Sequence, residues 1–181
     1  MTDLSKTELN QLARFFEKLG YLKLSYSLSQ DFDSKFQISL STGDLKQAYQ
    51  LLSENQESNP SSAHLLSQKW TKLGDLAMAK WQVKLAEDCY WSANDHTSLL
   101  LLLSSSNNKS SLARLAEATE KSGEYNISFQ SLWLCGNKEG CVDLLIKTGR
   151  TVEAMFLGRT YGVSSEKLES IAGLWKAAIV V

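Results

Sequence analysis

The apolar residues of this chain recur at helical spacing in short runs, and most runs close on a glycine or an asparagine. Leu9, Leu12, Phe16 and Leu19 follow at intervals of three, four and three, which puts them on one face of a helix. Ser5-Lys6-Thr7-Glu8 ahead of them fits a capping box, and Gly20 stops the run. A short helix with Leu24 and Leu28 comes next. Asp31 or Asp33 can then cap a helix carrying Phe32, Phe36 and Leu40, which Gly43 ends. The same reading continues through Leu168, Ile171 and Trp175 and gives about twelve helices. The best strand candidate, Phe36-Gln37-Ile38-Ser39-Leu40, fits a helix equally well. Pro60 is the only proline in 181 residues, where average usage would supply about nine. Short helices with brief connections are what so little proline leaves room for.

The turns share a pattern. Gly43 is followed five residues later by Ala48, Gly74 by Ala79 and Gly149 by Ala154. Gly123 with Ser128, Gly136 with Cys141 and Asn107 with Leu112 match more loosely. Two antiparallel helices joined tightly need a residue that accepts left-handed backbone angles. Glycine does so without steric cost, and asparagine is next best. The small residue one turn later lets the second helix approach the first. Helix pairs of about 34 residues in series form the tetratricopeptide arrangement. The consensus of that repeat is poorly matched here. The expected fold is therefore all-α, an α-solenoid of stacked antiparallel hairpins in degenerate tetratricopeptide style. A compact helical bundle of the same length is the competing fold.

Residues 53–63 contain no large apolar side chain and are expected to form a flexible surface loop within a single domain over 1–181. Leu99 to Leu103 are five consecutive leucines, a run apolar on every side, which predicts a central position with neighbours on both faces.

Little catalytic material is present. His64 and His96 are the only histidines, so imidazole acid–base chemistry and imidazole metal sites are poorly supplied. Cys89, Cys135 and Cys141 lack the paired spacing of a zinc site and read as free thiols in a reducing compartment. Two Ser-x-x-Lys spacings, Ser106 to Lys109 and Ser164 to Lys167, have no companion nucleophile machinery. No phosphate-binding loop or His-Glu-x-x-His is present. The reading is a non-enzyme with no catalytic, cofactor or metal residues. A formal net charge of −1 gives no footprint for nucleic acid or an anionic membrane. No signal peptide and no span of about 20 apolar residues is expected.

Five tryptophans are many for this length: Trp70, Trp81, Trp91, Trp133 and Trp175. Packing accounts for most of them. Trp81 and Trp91 fall near expected helix ends, where full burial is harder, and are the candidate partner contacts.

Once the hairpins are laid out, four stretches carry a specific resemblance: Phe36 to Leu52, Gln68 to Tyr90, Leu115 to Phe129 and Asp143 to Tyr161. They resemble the C-terminal part of the α-solenoid of coatomer beta-prime subunits, over about residues 10 to 176. Leu-Ile-Lys-Thr-Gly-Arg and Ala-Met-Phe-Leu-Gly-Arg-Thr-Tyr are the most specific strings. The resemblance implies a scaffold segment of the COPI vesicle coat, assembling solenoid against solenoid in Golgi-to-ER retrograde transport. It implies the coatomer alpha subunit and other coatomer subunits as partners. It also implies a cytoplasmic protein that reaches Golgi membranes and vesicles only indirectly, through the coat. Members of that family carry WD-repeat propellers ahead of the solenoid. None is encoded here, which implies an excised segment without the propellers' cargo sites. The alternative is a tetratricopeptide-like adaptor whose groove reads a peptide tail. Its carboxylate clamp would have to come from Lys80, Lys84, Arg114 and Arg159, which are scattered in the sequence.

Overall fold

The computed structural model describes residues 6–58 and 63–179. Among them are twelve helices and no strand. The chain divides into two compact units, one up to Asp95 and one from His96. The first holds α1 (Lys6–Lys18), α2 (Leu22–Leu28), α3 (Phe32–Thr42), α4 (Leu45–Ser58), α5 (Ala63–Ala79) and α6 (Val83–Ala93). The second holds α7 (His96–Ser106), α8 (Lys109–Ser122), α9 (Tyr125–Cys135), α10 (Lys138–Lys147), α11 (Thr151–Tyr161) and α12 (Ser165–Ile179). Ser5 of the expected capping box lies outside the described residues.

Within each unit every helix packs on the next in sequence, and α9 also packs on α7. Burial is therefore serial. Phe36, Leu52, Trp70 and Leu73 are fully buried in the first unit, and Leu99, Leu103, Leu112 and Leu115 in the second. Val142, Leu145, Ala154, Val163 and Ile171 form the core between α10, α11 and α12. Hairpins that lean on their neighbours in this way are the repeat architecture the turn pattern predicts.

The turns carry the periodicity. Gly20, Gly43, Gly123, Gly136, Gly149 and Gly162 have φ between 72° and 84°, and Trp81, Asn94 and Asn107 adopt the same left-handed region. Ala48, Leu112, Ser128, Cys141 and Ala154, each five residues past such a turn, are buried as expected. In three hairpins this position also donates a hydrogen bond to a carbonyl of the preceding helix. Ser25 Oγ reaches Ala13 O at 2.7 Å, Ser128 Oγ reaches Ala116 O at 3.0 Å, and Cys141 Sγ approaches Phe129 O at 3.7 Å.

Gly74 departs from the expectation. It lies inside α5, and Ala79 is exposed at the end of that helix. A Cβ at Gly74 would stand 2.6 Å from Cε1 of Tyr90, so glycine there admits the tyrosine ring rather than a turn. The turn follows at Trp81 (φ 58°), and the small residue five positions on is the fully buried Ala86. The expected loop at 53–63 is also corrected. Residues 53–58 continue α4, residues 59–62 lie outside the described residues, and Ala63 opens α5. Glutamate and glutamine are good helix formers. Gln56 moreover accepts a hydrogen bond from the indole of buried Trp70 at 3.0 Å. Absence of apolar side chains over 53–56 goes with a half-buried to exposed stretch of helix.

Gly149 has open space around its missing Cβ, so its requirement is conformational alone. Gly149→Val is expected to cost more than ~1 kcal/mol, because a β-branched residue is penalised at positive φ. An unchanged thermal midpoint would contradict this assignment.

Candidate interaction surface

Five consecutive leucines on a helix sample every direction around its axis. In α7, Leu99, Leu102 and Leu103 are buried, but Leu101 is 73% exposed. The expectation of a leucine run covered on both faces is thus corrected: one side is open.

That side borders a groove shared with two helices whose polarity is inverted. The buried residues of α9 are Ser128 and Ser131, and those of α11 are Ala154 and Gly158. Small side chains face the neighbouring helices and permit close approach. Ser128 satisfies its hydroxyl on Ala116 O and Ser131 on Ile127 O. Several large apolar residues are left outside, while Phe129, Met155 and Leu157 pack partly against the core of α10, α11 and α12. Trp133, Leu134, Phe156 and Tyr161 are exposed, with Phe129 and Leu157 half-buried among them. Phe129 stacks on Trp133, and Trp133 meets Tyr161 edge-on at 4.8 Å between centroids.

The result is an open groove of about 830 Å³ along α7, α9 and α11. Leu100, Leu101, Phe129, Trp133, Leu134, Leu157 and Tyr161 supply its apolar wall, and Thr97, Ser98, Ser104 and Gln130 its hydrogen-bonding groups. No charged residue lines it. A second hollow of about 580 Å³ shares Phe129, Gln130, Leu157 and Tyr161 and adds Arg150 and Glu153, which pair with each other. Lys138 places its ammonium 5.5 Å from the Tyr161 ring centroid. At the start of α7, buried His96 holds Glu124 Oε1 at 2.7 Å through Nδ1, tying α7 to the turn before α9.

Such a surface offers apolar area and a few neutral polar groups. It suits the burial of another protein's side chains better than bond-making chemistry. Among the described residues no group of three or more His, Cys, Asp or Glu could hold a metal ion. Burial pushes the Cys89 thiol up to about 12 and the Cys141 thiol up to about 11, which removes thiolate reactivity near neutral pH. Neither Ser-x-x-Lys spacing assembles a nucleophile: Ser106 Oγ donates to Leu103 O, and Lys167 pairs with Asp143 at 2.7 Å. No described helix is long and apolar enough to cross a membrane.

Of the two sequence-selected tryptophans, Trp81 is 85% exposed at the α5–α6 turn, whereas Trp91 is half-buried near the end of α6. They stand at opposite ends of α6, ~15 Å apart along its axis at the helical rise per residue. Trp133, read from sequence as core, is the tryptophan of the groove. Lys80 and Lys84 belong to the first unit and Arg114 and Arg159 to the second, and none of the four lines the groove.

The family model described as COPA/B TPR domain matches residues 1–176. Coatomer subunit beta' of Rattus norvegicus is 38% identical over 173 residues, covering 96% of this chain and 18% of the relative. That of Homo sapiens is 37% identical over 173 residues with the same coverage. The probable coatomer subunit beta' of Caenorhabditis elegans is 37% identical over 177 residues, 98% of this chain and 17% of the relative. The chain thus spans less than a fifth of the length of these curated relatives.

Proposed function

The chain belongs to the COPA/B TPR domain family, and from that premise we propose that residues 1–181 serve as a scaffold segment of the COPI coat. The segment is non-catalytic and assembles by packing helix faces against another coatomer subunit, in Golgi-to-ER retrograde transport. The proposed partner is the helical solenoid of the coatomer alpha subunit. The setting is the cytoplasmic face of Golgi membranes and vesicles, reached through the coat.

The observation that carries this reading is the uncharged groove of α7, α9 and α11, where two helices turn several large apolar residues outward. Exposed apolar surface of this continuity marks an interaction site. Its complement is the apolar face of a partner helix. A charged peptide tail would find no counter-charge on the wall, which disfavours the adaptor alternative with a carboxylate clamp. Trp81 and Trp91 are proposed as further partner contacts, Trp81 the stronger because its ring is nearly free of the fold.

Capture of the alpha subunit's solenoid by the immobilised chain tests the proposal. A complex at micromolar concentration is expected. No detectable complex under those conditions would overturn it.

A further inference from the structure

At one end of the first unit, several departures from ordinary helix design meet. Trp81 holds φ 58°, a conformation that six other turns give to glycine and two to asparagine. A bulky side chain is a steric outlier there. Its ring gains nothing from the core in return, since it is 85% exposed. Lys80 Nζ donates to Gly43 O at 2.9 Å, which brings the α3–α4 turn against the α5–α6 turn. Lys46 and Lys84 then stand exposed in the first turns of α4 and α6 and form no ion pair among the described residues.

Positive charge in a first turn opposes the helix macrodipole. The first turns of α3, α11 and α12 carry Asp33, Glu153 and Glu166, and those of α1 and α10 balance an opening lysine with Glu8 and Glu139, whereas those of α4 and α6 hold no acidic residue. Lys23 in α2, after exposed Tyr21, and Lys109 in α8 likewise stand in first turns without an acidic residue, but only for α4 and α6 is a lysine, Lys80, seen to join the two preceding turns. Asp44, in the α3–α4 turn, is engaged in capping α4, where its Oδ1 accepts from Gln47 N at 3.1 Å. Local rules broken together without a gain in folding are the mark of a functional surface.

We propose that this tip, Trp81 with Lys46, Lys80 and Lys84, docks an acidic segment of a partner protein. Carboxylates of the segment pair with the lysines, and an apolar side chain packs on the indole. At the two turns themselves three lysines outnumber Asp44, with Glu87 and Asp88 one turn further along α6, and this local excess sets the charge of the complement. They fall short of the roughly four to eight basic residues that hold a protein on an anionic membrane. The inference deepens the assignment of Trp81 as a partner contact and rests on it.

The test uses the full chain and a fluorescein-labelled glutamate-rich peptide carrying one leucine, read by anisotropy, with the lysine-rich counterpart as control. Wild type is expected to bind the acidic peptide alone, and added salt to weaken it. Trp81→Asn keeps the left-handed turn, so it should raise the thermal midpoint while weakening binding about tenfold. Lys46→Glu with Lys84→Glu should abolish binding. No peptide binding by wild type, equal binding by the variants, or capture of phosphatidylserine vesicles in place of the peptide would each overturn the proposal. Leu101→Asp should leave peptide binding intact. If the alpha subunit is not captured but the peptide still binds at the tip, the coat assignment falls and the tip stands.

Discussion

Trp70→Ala is expected to destabilise the first unit by about 3–5 kcal/mol, the range for removing a large aromatic side chain from a packed core. Trp70 is only 2% exposed. Its ring meets Tyr49 edge-on at 5.1 Å between centroids, and its indole N–H donates to Gln56 Oε1 at 3.0 Å. Truncation therefore opens a cavity between α4 and α5 and removes a tertiary hydrogen bond near the end of α4. In a chain whose helices are buried serially, that damage has few other contacts to absorb it. Urea denaturation should show a lower midpoint, and hydrogen exchange should accelerate first in α4 and α5. A loss below ~1 kcal/mol would mean that the tryptophan is not the centre of this core.

Leu101→Asp is expected to behave in the opposite way: fold retained, assembly lost. Leu101 is 73% exposed, so aspartate there stays hydrated in the free chain and the thermal midpoint should hardly move. In the complex the same carboxylate would be buried against an apolar helix face, in a groove with no cation on its wall to pair with it. The expected loss of affinity for the alpha subunit's solenoid is about a hundredfold, equivalent to ~2.7 kcal/mol. Trp133→Ala, at the centre of the aromatic wall, should reproduce the effect. Titration calorimetry with wild type and both variants reads it directly, and unchanged affinity in both would remove the groove from the interface.

Much of the fold is legible in the sequence because one chemical requirement repeats. A tight helical hairpin needs a left-handed residue and then a small buried one, and glycine with alanine, serine or cysteine five places on announces both. The misplaced α5–α6 turn comes from two residues that break the code. Gly74 is a glycine used for the close approach of Tyr90, a need that a single sequence cannot separate from a turn. Trp81 takes a turn position that its side chain disfavours, so nothing in local preference points to it. The groove was less accessible. Hydrophobicity assigns Trp133 to the core with the other packed tryptophans, yet only its α9 neighbour Phe129 packs partly against it. The fully buried residues of α9 are Ser128 and Ser131, because small hydroxyl side chains can donate to helix carbonyls and let backbones approach. Periodicity separates two faces of a helix. Which of them turns inward depends on what the neighbouring helix can accommodate.

Hydrogen–deuterium exchange on the complex with the alpha subunit's solenoid tests the assembly surface most directly. Protection concentrated in α7, α9 and α11 is the predicted footprint, with the backs of α8 and α10 unaffected. A complex that forms while the amides of α7, α9 and α11 exchange as fast as in the free chain would contradict it.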